Sequence, residues 1–193
     1  MKKNLLLHSC CGPCSTSVIE KLKEDYNLTI FYYNPNIYPE EEYYKRLKTQ
    51  KEYLKKSHQD IAVIDGEYID NELFMKEFSG LEECNEGGKR CEKCLYLRIK
   101  KTAEYAKNNN FDMFASTLSV SPHKNAQLIN KLGLECENIY KVKYLESDFK
   151  KQDGYLNSIK LSKQYGLYRQ NYCGCKYSIW DKDYLAKITK DKI

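Results

Sequence analysis

Strand-length apolar runs in this chain are separated repeatedly by amphipathic stretches long enough to be helices. Two parallel strands need a crossover of about a dozen residues, usually helical, whereas a hairpin closes in a few. That spacing restricts the chain to sheets built from crossovers. The first unit opens with an apolar run at residues 3–7 and the punctuation His8-Ser9-Cys10-Cys11-Gly12-Pro13-Cys14. A helical stretch follows with Val18, Ile19 and Leu22 on one face, then a second run at 28–33 rich in β-branched and aromatic residues. Ser15 or Thr16 is the expected cap of that helix. Residues 34–39 are turn-rich, and Pro39 before Glu40, Glu41 and Glu42 marks a helix start, with acids against the positive end of the dipole. Tyr43, Leu47, Gln50 and Leu54 trace one face of it. A third strand at 61–64, a short helix at 69–78 and a polar loop at 82–88 follow. The helix at 91–107 carries Leu95, Ile99, Ala103 and Ala106 at helical spacing. A strand at 111–116, a helix at 123–132 ended by Gly133, a strand at 139–145 and a helix at 154–165 stopping at Gly166 complete the alternation. The pattern predicts an α/β fold, a doubly wound parallel sheet covered on both faces. It is expected as a single domain over residues 1–193, with a C-terminal helical extension.

At 193 residues, 41% hydrophobic and 31% charged, the chain has enough apolar material for one core and is neither disordered nor fibrous. Its longest apolar runs, 5–7 and 61–64, fall far short of a bilayer span, and the Lys2-Lys3 start lacks the apolar segment of a signal peptide. The expected compartment is the cytoplasm. Nine cysteines in a reducing compartment argue against a disulfide scaffold and for metal or redox chemistry. Seven fall in three groups, Cys10-Cys11 with Cys14, Cys91 with Cys94, and Cys173 with Cys175. Cys84 and Cys136 stand alone and read as ordinary half-buried residues.

Ligands of open α/β sheets sit beyond the carboxyl ends of the strands, so the loop after the first strand is the place to look. A phosphate site there would carry G-x-G-x-x-G or G-x-x-x-x-G-K-[ST]; the chain has Cys10-Cys11-Gly12-Pro13-Cys14 instead. Thiols at a helix N-terminus favour thiolates and hence soft metals. Cys91 and Cys94 lie one helical turn apart, and Gly174 permits a tight turn between Cys173 and Cys175. Four readings compete. Structural zinc suits the adjacent Cys10 and Cys11 poorly. A thioredoxin-like dithiol at Cys11-Gly12-Pro13-Cys14 explains two thiols only. Inert cysteines scatter rather than gather at loops. An iron–sulfur cluster held by four thiolates from two loops, with further thiols nearby, accounts for most of the pattern. The net charge of +5 and the 18 tyrosines suit a nucleic-acid partner, although an AT-rich coding sequence produces the same excess.

Five motifs occur in order: His8-Ser9-Cys10-Cys11-Gly12-Pro13-Cys14-Ser15, Tyr33-Asn34-Pro35-Asn36-Ile37, Arg90-Cys91-Glu92-Lys93-Cys94, Thr117-Leu118-Ser119-Val120-Ser121-Pro122-His123-Lys124 and Gly166-Leu167-Tyr168-Arg169-Gln170-Asn171-Tyr172-Cys173-Gly174-Cys175. Together they resemble the cobalamin-independent epoxyqueuosine reductase family, the QueH type, over most of the chain. The resemblance implies a nucleotide α-hydrolase-like fold and the last step of queuosine synthesis, reduction of epoxyqueuosine at the wobble position of a tRNA anticodon. It also implies a [4Fe-4S] cluster, an additional mononuclear iron held by two cysteines and an aspartate, no cobalamin, and an external electron donor. No membrane partner is implied. Carried over by position, Cys10, Cys11, Cys91 and Cys94 are the expected cluster ligands. Cys173 and Cys175 form the expected redox-active pair, and Cys14 a ligand of the second iron.

Asp148, just after the fifth expected strand, is the first choice for the carboxylate and Asp112 the second, with a simple cap in Ser147-Asp148-Phe149 as the plain alternative. His8 and His123 are expected either as proton sources or as hydrogen-bonded structural residues. Lys124, Lys150, Lys151 and Arg169 with Tyr32, Tyr33, Tyr38, Tyr168 and Tyr172 suit an anticodon-loop surface, against a solvated basic face with core tyrosines. Two other functions fit the same scaffold: a zinc-binding tRNA module and a tRNA sulfur-transfer enzyme. The latter calls for S-G-G-x-D-S after the first strand, which the chain lacks.

Overall fold

The computed structural model describes residues 1–66, 68–69 and 71–179. Five strands, β1 (Lys3–His8), β2 (Tyr26–Tyr32), β3 (Ala62–Asp65), β4 (Met113–Ser116) and β5 (Lys143–Tyr144), form one sheet in the order β3-β2-β1-β4-β5. Every pairing is parallel. The chain winds outward from β1 to β3, then returns and winds the other way from β4 to β5. The reversal opens a crevice between the carboxyl ends of β1 and β4, where doubly wound sheets bind ligands.

Alternate strand residues serve opposite faces. Leu5, Leu7, Ile30 and Ala115 share a core with Val18 and Ile19 of α1 (Gly12–Leu22), Tyr53 and Leu54 of α2 (Glu40–Ser57), and Phe149. On the other face, Leu6, Phe31 and Phe114 meet Leu95, Ile99, Ala103 and Ala106 of α4 (Lys89–Asn108) and Ile129, Leu132 and Cys136 of α5 (Ala126–Tyr140). Each fully buried Leu, Ile or Phe contributes about 1.5–3 kcal/mol, so two sandwiched faces hold the sheet rigid beneath the crevice. The short α3 (Asn71–Lys76) precedes α4, and α6 (Gly154–Gln164) packs on α1.

Three expectations are corrected. Helix α1 begins at Gly12, capped by the backbone of Cys11, and the hydroxyls of Ser15 and Thr16 donate back to the carbonyls of Gly12 and Pro13. Pro13, with its φ already helical, starts the helix before either hydroxyl residue. Gly133 does not end α5, which runs to Tyr140 from an Asn125 cap and turns off at Lys141 (φ 58°). The glycine instead makes room for the Tyr144 ring, 2.4 Å from where its Cβ would lie. The longer helix leaves only Lys143–Tyr144 for the fifth strand, not residues 139–145. Of the C-terminal helical extension only a start, helical at residues 176–179, lies among the described residues. Among those described, no helix is long and apolar enough to cross a membrane.

Candidate metal and redox site

The loop from β1 into α1 places Cys10, Cys11 and Cys14 at the switch point, with their sulfurs all within 4.8 Å of one another. Cys10 and Cys11 Sγ are 4.0 Å apart. Hydrogen bonds from Cys11 and Cys14 stabilise the Cys10 thiolate and pull its pKa well down. The same sharing, seen from the donors, pushes Cys11 up to about 12 and raises Cys14. Of the three, Cys10 is the sulfur its neighbours most favour as a thiolate. The side-chain amide of Gln170 adds a donor, its Nε2 lying 3.0 Å from Cys11 Sγ.

The other four clustered thiols, Cys91, Cys94, Cys173 and Cys175, line a single cavity of about 160 Å³. That is far more than one water fills. Cys91 and Cys94 are presented by the first turn and a half of α4; the backbone N–H of Gly87 donates to Cys91 Sγ at 3.3 Å. Burial raises the Cys91 thiol and pushes Cys94 up to about 11. All nine cysteines are free.

Two cations, buried Arg98 and half-buried Lys124, stand between the thiol groups. Lys124, in the loop after β4, lies with its Nζ 3.7 Å from Cys173 Sγ. Its pKa is raised first by Cys173, and Cys10 adds to the effect. Arg98, one turn along α4 from Cys94 and 3% exposed, donates to the Cys94 carbonyl at 3.3 Å. Burial opposes its charge, but Cys94, Cys173, Cys10 and Cys175 outweigh that and raise its pKa. Cations so placed are what a set of thiolates requires to remain charged away from water. Donors aimed at sulfur, together with cations on both sides, fit a thiolate-held metal group.

His8 ends β1, wholly buried, with Nδ1 2.9 Å from Ser116 Oγ and Nε2 3.1 Å from the Tyr33 carbonyl. A carbonyl only accepts, so Nε2 carries the proton and Ser116 donates to Nδ1. Burial, then Arg98, lowers its pKa to about 4. His8 is therefore a neutral, oriented ring tying β1 to β2 and β4, in a setting that gives it no spare proton at neutral pH. His123 is on the cavity wall and exposed.

Asp148 sits in the loop after β5, 3.6 and 3.8 Å from the ammonium groups of Lys150 and Lys151, with its buried Oδ1 accepting no hydrogen bond. It is not on the cavity wall. Its loop nevertheless follows α1: Phe149 shares a core with Val18, and Lys21 Nζ bonds Gln152. Cys14, Val18 and Lys21 occupy one face of that helix. Asp112 is placed at the other end of the sheet, where its carboxylate accepts from the backbone of Asn4 at 2.7 Å. Of the tyrosines expected on a nucleic-acid surface, Tyr32 and Tyr33 are core residues, 0% and 6% exposed, while Tyr38 is 45% exposed. Arg169 is spent on Ser158 and Ser162 of α6.

Arg98 and Gln170 were not singled out by sequence reasoning. A signal for Arg98 existed: Cys91, Cys94 and Arg98 recur at helical spacing beside the apolar stripe, where a solvent-facing arginine would not fall.

A family model described as epoxyqueuosine reductase QueH matches residues 5–181 of the chain. A Staphylococcus epidermidis protein named epoxyqueuosine reductase QueH is 42% identical over 182 residues, covering 92% of this chain and 76% of that protein. One of the same name from Streptococcus pyogenes is 40% identical, covering 92% and 71%. Another from Thermotoga maritima is 34% identical over 180 residues, covering 92% and 91%.

Proposed function

The chain belongs to the QueH family of epoxyqueuosine reductases, and from that premise we propose that it removes the epoxide oxygen of epoxyqueuosine in the wobble position of tRNA, giving queuosine. The observation that carries this reading is the gathering of seven thiols with the cations Arg98 and Lys124 at the sheet's switch point. Loss of the epoxide oxygen as water, leaving an alkene, consumes two electrons and two protons. A tRNA substrate puts the reaction in the cytoplasm.

Cys10, Cys11, Cys91 and Cys94 are the proposed ligands of a [4Fe-4S] cluster. Cys14 and Asp148, with a second thiol, are the proposed ligands of an adjacent iron. Supporting Asp148 are its buried Oδ1, which accepts no hydrogen bond and lies 3.6 Å from the Lys150 ammonium, and the course of its loop along the α1 face that bears Cys14. When bound, the cluster supplies electrons singly and the iron a Lewis acid toward the epoxide oxygen. Cys173 and Cys175 are the proposed redox pair: closing their disulfide releases two electrons and two protons, matching the demand of the reaction, and an external donor reopens it. Lys124 keeps a positive charge beside Cys173 throughout, so a sulfur anion there is never left uncompensated. Neutral His8 holds the floor of the site by fixing the ends of β1 and β4.

Anaerobic purification with iron and sulfide counts, followed by dithionite and tRNA carrying epoxyqueuosine, tests the reading. The expected protein is brown, with about four sulfides and more than four irons, and it converts the tRNA without cobalamin. Cys91→Ser or Cys94→Ser removes the sulfide-containing group, whereas Cys14→Ser or Asp148→Asn removes a single iron. A colourless, zinc-containing protein after anaerobic reconstitution overturns the proposal.

A further inference from the structure

The Cys173-Gly174-Cys175 loop is held from a distance. Arg46, on α2 and 1% exposed, donates through Nη1 to the Cys173 carbonyl at 3.1 Å and through Nη2 to the Tyr172 carbonyl at 3.4 Å. Its guanidinium also lies over the Tyr172 ring, 5.0 Å from the centroid. The Nε donates to Glu42 Oε1 at 2.7 Å, and that carboxylate accepts in turn from the Tyr168 hydroxyl at 3.0–3.1 Å. A Glu–Arg pair four residues apart on a helix ordinarily faces solvent and contributes little. Here both partners are turned inward, and both grip the segment that carries the thiols.

The opposite side of the loop is equally constrained. The N–H of Tyr38 donates to the Gly174 carbonyl at 2.7 Å, and the Tyr172 hydroxyl donates to the Tyr38 carbonyl at 2.6 Å. Gly174 has φ 133°, and a Cβ on it would lie 3.1 Å from Arg46 Nη1 and 3.2 Å from Ile37 Cγ1. Only glycine takes this backbone shape without strain, and only glycine lets the guanidinium come this close.

We propose that Arg46 is a positioning residue for the reduction, its guanidinium fork fixing the Cys173-Gly174-Cys175 backbone so that both sulfurs are presented to the cavity. The inference rests on Cys173 and Cys175 being the redox pair. The acceptors are the carbonyls of Tyr172 and of Cys173 itself, so displacement of the fork moves the thiols before it disturbs the sheet. Two carbonyls are bound by one rigid group, which a lysine, a point donor on a flexible stem, does not reproduce.

The test uses the metal-loaded protein and the variants Arg46→Lys, Gly174→Ala and Cys173→Ser. Turnover on tRNA carrying epoxyqueuosine is measured alongside the midpoint of the Cys173/Cys175 pair, read by differential alkylation and peptide mass analysis in glutathione redox buffers. Arg46→Lys is expected to lower kcat about tenfold or more, the loss typical of charged hydrogen bonds, with KM for tRNA within about twofold. The pair's midpoint shifts, while iron and sulfide contents stay at the wild-type level. Gly174→Ala, whose methyl would crowd Arg46 Nη1 and displace the fork from the loop side, produces the same pattern and carries the test if Arg46→Lys does not fold. Wild-type kcat and midpoint in folded Arg46→Lys and Gly174→Ala, with activity lost in Cys173→Ser, overturn the positioning role alone. Wild-type activity in Cys173→Ser overturns the redox-pair reading and the inference with it.

Discussion

His8 shows how a single side chain is committed by its surroundings. Its pKa, lowered from 6.5 to about 4 by burial and by Arg98, lies below that of the unfolded chain. The unfolded state therefore takes up the proton first, and the stabilisation present above pH 6.5 is lost as the pH falls toward 4. The loss amounts to about 2 kcal/mol by pH 5. His8→Gln keeps a donor for the Tyr33 carbonyl but does not titrate. Urea unfolding of the two proteins in the same metal state is expected to show a stability gap at pH 7 that narrows by about that amount at pH 5. A gap independent of pH would assign the titration to another group. Among the thiols, membership of the site was legible because seven cysteines fall at loops and helix starts. Their grouping in space was not: Cys91 and Cys94 share a cavity wall with Cys173 and Cys175, a neighbourhood created by tertiary folding across some eighty residues of chain. Arg46 was hidden for another reason, since Glu42 and Arg46 read as an ordinary solvated pair until the C-terminal segment covers them.

Helix α5 shows the same difficulty one level up. Glycine after an apolar stretch reads as a helix stop, yet Gly133 lies inside the helix because Tyr144 needs the space. The ring is fixed over it by the Tyr144 hydroxyl, which donates to Asn130 Oδ1, and by its backbone N–H, which donates to Glu137 Oε2. Gly133→Ala gains about 1 kcal/mol of helix propensity. Against this, a methyl forced 2.4 Å from a buried ring costs about 1–3 kcal/mol by overpacking. Net destabilisation is the expected outcome, read as a lower urea midpoint with an unchanged m value. Elements with long periodic faces, such as α2 and α4, were placed well by their sequence. The short β5 was not, because two residues carry no alternation to detect, and its position follows from where α5 ends.

For the molecule as a whole, the α/β alternation made the doubly wound sheet legible. The sheet in turn directs attention to one edge, where the thiols, Arg98 and Lys124 collect. Lys150 and Lys151 flank that edge in different ways. Lys151 is 76% exposed and only loosely paired with Asp148, whereas Lys150 donates to the carbonyl of Lys124 at 2.9 Å. Lys151→Ala is expected to weaken tRNA binding and to reduce the slope of log affinity against log salt by about 0.7–0.9, with iron content unchanged. Lys150→Ala is expected to alter turnover as well, through the cavity residue it supports. Binding titrations over a salt series distinguish the two, and an unaltered slope in Lys151→Ala would remove that residue from the interface. The bond from Gln170 to Cys11 spans 159 positions, and that from Arg46 to Cys173 spans 127. Contacts of such separation form late, because the entropy of closing a long loop must be met first. During translation Cys10, Cys11 and Cys14 emerge from the ribosome long before the segment that covers them. Each nascent chain consequently passes through an interval in which its earliest thiols stand without the segment that later covers them.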